Sequence, residues 1–157
     1  MKLKTFLAAA LLAWTGIAGA TEGFTALDRA AAARLVDPAR YTEPTVVALW
    51  SLDCVHCKKN LALFADMARA NTRLRLITVA VDSAGAGLAE PLARLAVPGA
   101  RFAYGADAPE ALAFALDGKW RGELPRTLLF DGRGGKVALS GVVSEADARR
   151  ALGLGAP

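Results

Sequence analysis

Cysteine and histidine are almost absent: the 157 residues contain two cysteines and one histidine, at Cys54, Cys57 and His56. A structural zinc site usually needs four ligands, and these three side chains are the chain's only soft or imidazole donors. With two intervening residues, the cysteines close too small a loop to staple a fold, because disulfide stabilisation grows with loop length. Reactivity is left as the reason for the pair, with a metal half-site as the competing reading. Methionine is equally scarce, with two in the chain. Met67 lies about three turns beyond the cysteines on the expected helix, too far to join them around a copper ion.

Clusters of one charge are also missing. Nineteen Lys and Arg are scattered among fifteen Asp and Glu, for a formal net charge of +4. Nothing in that distribution resembles the basic stripe of a nucleic-acid-binding surface. There is no internal repeat and no low-complexity linker, so the length fits one domain with a proper core. No apolar run is long enough for a comfortable membrane span, which needs about 20 residues. The longest starts at Phe6 and ends at Trp14, preceded by Lys2 and Lys4 and followed by Ala18-Gly19-Ala20. This is the pattern of a secretory signal peptide over residues 1–20, with an uncleaved anchor as the alternative. No cysteine follows the run, which excludes lipid attachment at a mature N-terminal cysteine. Residues 21–157 then form the mature domain, at a formal charge of +2 once Lys2 and Lys4 are gone. Export matters because a disulfide persists in an oxidising compartment. A membrane partner is expected only if the leader stays attached.

What is present is a pattern of alternating elements. An alanine-rich stretch from Thr25 to Val36 predicts a helix, with Thr25 as its cap and Asp37-Pro38 as its end. Residues 45–51 are apolar without a break, the signature of a central strand covered on both faces. Residues 55–70 carry Leu61, Phe64, Ala65 and Ala68 on one helical stripe. Residues 73–81 predict a second strand, completing a βαβ unit with parallel strands. A loop over 82–87 and a helix over 88–95 follow. A short strand near 101–104 precedes a helix capped by Asp107 and running to Leu116. Two apolar runs, 126–130 and 136–140, flank a glycine-rich turn and predict a hairpin. Ser144 starts a final helix ending near Gly153. The order predicts an α/β domain whose mixed sheet carries helices on both faces.

The cysteines fall where the first core strand meets its helix. There the unpaired N–H groups and the positive end of the helix dipole stabilise a thiolate at Cys54. Cys57, one turn further in, would be the resolving thiol. His56 would support the Cys54 thiolate and make the disulfide more oxidising, whereas Asp53 would oppose it. A simple exposed histidine and a simple helix-capping aspartate are the competing readings of those two residues. Lys58 and Lys59 read as a solvated face.

With Trp50-x-x-x-Cys54-x-x-Cys57 at the strand–helix junction, this order resembles the thioredoxin superfamily, and most of all its exported TlpA/ResA-like branch. The stretch Leu124-Pro125-Arg126-Thr127-Leu128-Leu129-Phe130-Asp131-Gly132 resembles the segment in which the family places a cis-proline before the antiparallel strand. The likeness spans roughly residues 41–152. It implies a thioredoxin-like three-layer sandwich with an extra N-terminal helix and an insertion over roughly residues 84–117. It also implies a periplasmic thiol–disulfide oxidoreductase with catalytic residues Cys54, Cys57, His56, Pro125 and Trp50. Trp50 would pack beside the disulfide, and Leu124-Pro125 would present backbone to a substrate peptide. No metal or bound cofactor is implied beyond the Cys54–Cys57 disulfide. The partners would be a protein thiol or disulfide substrate and a membrane or periplasmic thiol that exchanges electrons with the site. Relatives often place an acid where this chain has Ala48, or where it has Asn60, so the usual proton acceptor for Cys57 is missing. Glu123 is a candidate replacement, against the reading of a plain loop glutamate. The branch implies a reductase, for example in cytochrome or copper-site maturation. His56 suits an oxidase like DsbA, and a copper-binding assembly factor would use the same cysteines.

Overall fold

The computed structural model describes residues 23–155 apart from residue 86. The expected signal segment, residues 1–20, therefore lies outside the described residues. Six strands form one sheet: β1 (Thr25–Leu27), β2 (Thr45–Trp50), β3 (Arg75–Ser83), β4 (Ala100–Tyr104), β5 (Arg126–Phe130) and β6 (Lys136–Ser140). Their spatial order is β1-β4-β3-β2-β5-β6. Every residue of β2 is buried, as its unbroken apolar run requires. It pairs parallel with β3, from Thr45 opposite Arg75 to Trp50 opposite Ala80, and antiparallel with β5.

Five helices cover the sheet: α1 (Arg29–Leu35), α2 (Val55–Ala70), α3 (Ala89–Arg94), α4 (Pro109–Leu116) and α5 (Glu145–Ala151). Because strand side chains alternate, β2 feeds two cores. Val46, Ala48 and Trp50 join Leu61 and Phe64 of α2 and Leu152 behind α5. Val47 and Leu49 join Ala32 of α1 and Leu112 and Leu116 of α4. This is the expected three-layer sandwich. The bounds of α2 match the sequence expectation, and so do those of the β5–β6 hairpin.

The N-terminal expectation needs correction. Residues 25–27 are not the first turn of a helix; they form β1, parallel to β4 with Thr25 opposite Phe102. The unbroken run of alanines begins only at Ala30, after Asp28, and an open sheet edge outcompetes helix formation before it. Asp28 rather than Thr25 caps α1, its carboxylate accepting from the Ala31 N–H at 2.6 Å. Asp107 does not cap α4 either, since its carboxylate accepts from the Arg29 N–H at 2.8 Å and so serves α1. The segment expected as an insertion holds α3, β4 and α4, and its strand lies between β1 and β3. Gly99 leads into that strand at φ +93°, where a Cβ would stand 1.9 Å from the Leu76 carbonyl oxygen. Only glycine fits there.

Candidate functional site

The chain leaves β2 at Trp50 and turns through residues 51–53 into α2. Two bonds shape the turn: the Leu52 N–H donates to the Asp82 carboxylate at 2.9 Å, and the Cys54 N–H to the Ser51 carbonyl at 3.2 Å. Asp82 belongs to the end of β3 rather than to the expected loop, so the sheet itself anchors the turn. Cys54 is the N-cap of α2, its backbone extended at φ −84° and ψ 95°. Its Sγ accepts from the Cys57 N–H at 3.1 Å, standing where a capping oxygen usually sits. The two cysteines form a disulfide with Cα atoms 5.2 Å apart. Cys54 is partly exposed, whereas Cys57 is 1% exposed. An incoming sulfur can therefore reach Cys54 and not Cys57.

Around the bridge, Asp53, Val55, His56 and Lys59 are exposed. The His56 side chain forms no hydrogen bond or ion pair with a described residue. Trp50 is fully buried in the same cluster as Cys57, forming core beneath the site rather than its rim. The Leu124–Pro125 peptide bond is cis. Continuing the β2–β5 register one residue past Leu49 and Arg126 sets Pro125 opposite Trp50, at the sheet edge where the cysteine turn begins. The Pro125 carbonyl accepts from the Gly141 N–H at 2.9 Å. Leu124 packs against both cores, while its backbone N–H and C=O make no bond with a described residue.

Asn60, at one of the positions where the resemblance implies an acid, has a structural task. It is 2% exposed, donates through Nδ2 to the Gly141 carbonyl at 3.0 Å, and accepts at Oδ1 from the Val143 N–H at 3.0 Å. These bonds tie α2 to the segment that follows β6. Asn60→Ala should cost about 2 kcal/mol in urea unfolding, because it strands the Val143 N–H in the core. An unchanged unfolding midpoint would mean that the clamp carries no stability.

A second network, whose bonding the sequence does not foretell, braces Pro125. Arg126, next in the chain, donates to Asp117 Oδ2 through Nε at 3.1 Å and through the guanidinium Nη2 at 2.5 Å, and to Ser140 Oγ at 2.7 Å. The Arg126 and Asp117 side chains are 12% and 10% exposed. Burial pushes the Asp117 carboxyl up, but the Arg126 hydrogen bond, the Lys119 N–H and the Arg126 charge together hold it below the usual range. Glu123 closes the network by accepting from the Ser140 hydroxyl at 2.6 Å. That bond leads the effects that hold its carboxyl below its ordinary value. Glu123 thus braces the Ser140–Arg126 network from its exposed side. No periodicity in the sequence reveals this network, since Arg126 meets a carboxylate nine residues away.

No family model and no curated protein matches the chain. Solved structures do. A secreted disulfide oxidoreductase of Mycobacterium tuberculosis, described as homologous to E. coli DsbE, superposes with a TM-score of 0.58 at 16% identity, covering 87% of this chain and 100% of that one. A thiol:disulfide interchange protein of the thioredoxin family from Chlorobium tepidum gives 0.58 at 16% identity, over 73% and 81%. A thioredoxin-related protein from Neisseria meningitidis serogroup B gives 0.56 at 18% identity, over 71% and 84%. Their likeness, together with the strand order, shows that the chain has the thioredoxin fold.

Proposed function

We propose that this thioredoxin-fold protein is an exported thiol–disulfide oxidoreductase that exchanges disulfides with protein substrates through Cys54. One observation carries the reading: a disulfide at the start of the central helix, with one sulfur reachable and the other buried. In the reducing direction, the Cys54 thiolate attacks a substrate disulfide, and one substrate sulfur departs as a thiolate and takes up a proton. Cys57 then gives up its proton and attacks Cys54 Sγ. The Cys54–Cys57 bond forms, the bond from Cys54 to the substrate breaks, and two electrons have passed to the substrate. The sulfurs carry those electrons, so no bound cofactor is required. Leu124, whose backbone groups beside Pro125 make no bond with a described residue, suits strand-like pairing with an extended substrate segment. A second thiol protein would be needed to reduce Cys54–Cys57 again.

Export and a periplasmic setting are supported by the leader pattern of residues 1–20 and by the likeness to a secreted disulfide oxidoreductase of Mycobacterium tuberculosis. No helix of the described residues is long and apolar enough to cross a membrane. The reading includes a reductase direction, for instance toward cytochrome or copper-site cysteines, supported by the likeness to the TlpA/ResA-like branch. Trapping thiols in periplasmic extracts tests it: a reductase is found mostly reduced, and a mostly oxidised protein rules the direction out. His56→Pro should lower the standard potential by about 30 mV if the imidazole supports the Cys54 thiolate. An unchanged potential would make His56 a bystander.

A further inference from the structure

Most guanidiniums in this protein have a partner. Of the 13 arginines among the described residues, seven lie within 4.0 Å of a carboxylate. Arg101 donates instead to the Val97 carbonyl at 3.3 Å. The five that remain, Arg34, Arg40, Arg75, Arg121 and Arg133, have side chains with no bond or ion pair to a described residue. Three of those five, Arg34, Arg40 and Arg75, line one groove of about 310 Å³.

Three separate elements bring them together. Arg34 is in the last turn of α1, where helical spacing puts Leu35 and Ala31 beside it. Arg40 ends the short 3-10 turn Pro38–Arg40 that follows. Arg75 opens β3, and strand alternation turns Ile77 to the same face, with Phe102 contributed by β4. Leu35, Ile77 and Phe102 give the groove an apolar floor. Tyr41 walls it, fixed by its hydroxyl donating to the Leu35 carbonyl at 2.5 Å. Burial pushes the Tyr41 phenol above its ordinary value, while the charges of Arg75 and Arg40 pull it down. Both guanidiniums therefore lie within electrostatic reach of one ring. Asp37 acts on the same phenol, but its carboxylate already accepts from the Ala39 N–H at 3.0 Å. Glu43 stands 4.0 Å from Arg73 instead. Three guanidiniums against one carboxylate leave a surplus of two positive charges.

We propose that this groove is a binding site for a small organic dianion: a phosphate monoester or a dicarboxylate on a short apolar body. Guanidinium forks match the oxygens of either group bidentately, and an anion between like charges relieves their repulsion. The apolar floor would cover the body of the ligand, as in most small-molecule clefts. Such clefts run from about 300 to 1,000 Å³, so this one suits a single ring or short chain. The site is separate from the cysteines. Arg75 pairs with Thr45 at the start of β2, whereas Trp50 at its end pairs with Ala80. Five residues of strand, about 17 Å, lie between the two ends, so the inference does not depend on the exchange reading.

The test is calorimetric titration of the purified chain at constant ionic strength with phenyl phosphate and with phthalate. Benzoate, with one charge fewer, and inorganic phosphate, with no apolar body, serve as controls. At least one dianion should bind one-to-one with a dissociation constant below about 1 mM. It should bind about tenfold more tightly than either control, and the tighter of the two dianions identifies the head group. R34Q, R40Q and R75Q should each weaken it about tenfold, whereas R133Q, which removes a free arginine elsewhere, should not. All four side chains are exposed, so the variants should unfold at the wild-type urea midpoint. Failure of both dianions to bind saturably overturns the proposal. So does a control that binds equally well, an equal loss in R133Q, or an unchanged affinity in R34Q, R40Q and R75Q.

Discussion

Cys54→Ser should abolish disulfide exchange, lowering the rate by more than about a thousandfold, some 4 kcal/mol of barrier. Cys57→Ser should behave differently: it should still attack substrate but accumulate a mixed disulfide that it cannot release. The asymmetry follows from burial, since Cys54 is partly exposed at the helix start and Cys57 is 1% exposed behind it. It follows also from position, because Cys54 as N-cap receives the Cys57 N–H and faces the free N–H groups of a 16-residue helix. Gel separation under non-reducing conditions distinguishes the two variants. A covalent adduct with Cys54→Ser, or equal activity from both, would reverse the assignment of roles.

The second large effect is expected far from the sulfurs. Asp117→Ala would leave the nearly buried Arg126 guanidinium without its carboxylate, a change that typically costs about 3–5 kcal/mol. Chemical unfolding at neutral pH measures it. The pH dependence has a definite sign. Asp117 titrates below its ordinary value in the folded chain, so its contribution is fully present above an unfolded carboxylate pKa of about 3.9. That contribution disappears as pH falls through the lower folded value. The gap between wild type and Asp117→Ala should therefore be widest at neutral pH and narrow below about pH 4. A gap independent of pH would show that the loss is one of packing rather than charge.

This network also marks the limit of what the sequence makes legible. The β2–α2–β3 unit can be read in advance because its signals are local: an unbroken apolar strand, then a stripe at helical spacing. The hairpin is legible for the same reason, with its glycine-rich turn between apolar runs. β1 is not, because three residues become a strand only when β4 offers an edge. Asp107 reads as a cap for the helix that follows it, yet it serves a helix 78 residues earlier. Of the site, the cysteines stand out by residue type and spacing, whereas Pro125 is marked only by the resemblance of residues 124–132 to the family's segment. Asp82, Asn60 and the Arg126 brace act through partners distant in sequence.

Whether Cys54–Cys57 is a working redox couple is measured directly by the standard potential of the domain in equilibrium with dithiothreitol and glutathione. The expected result is one reversible two-electron transition, lost in Cys54→Ser. A disulfide that dithiothreitol cannot reduce in the folded protein, or exchange activity that survives Cys54→Ser, would contradict it.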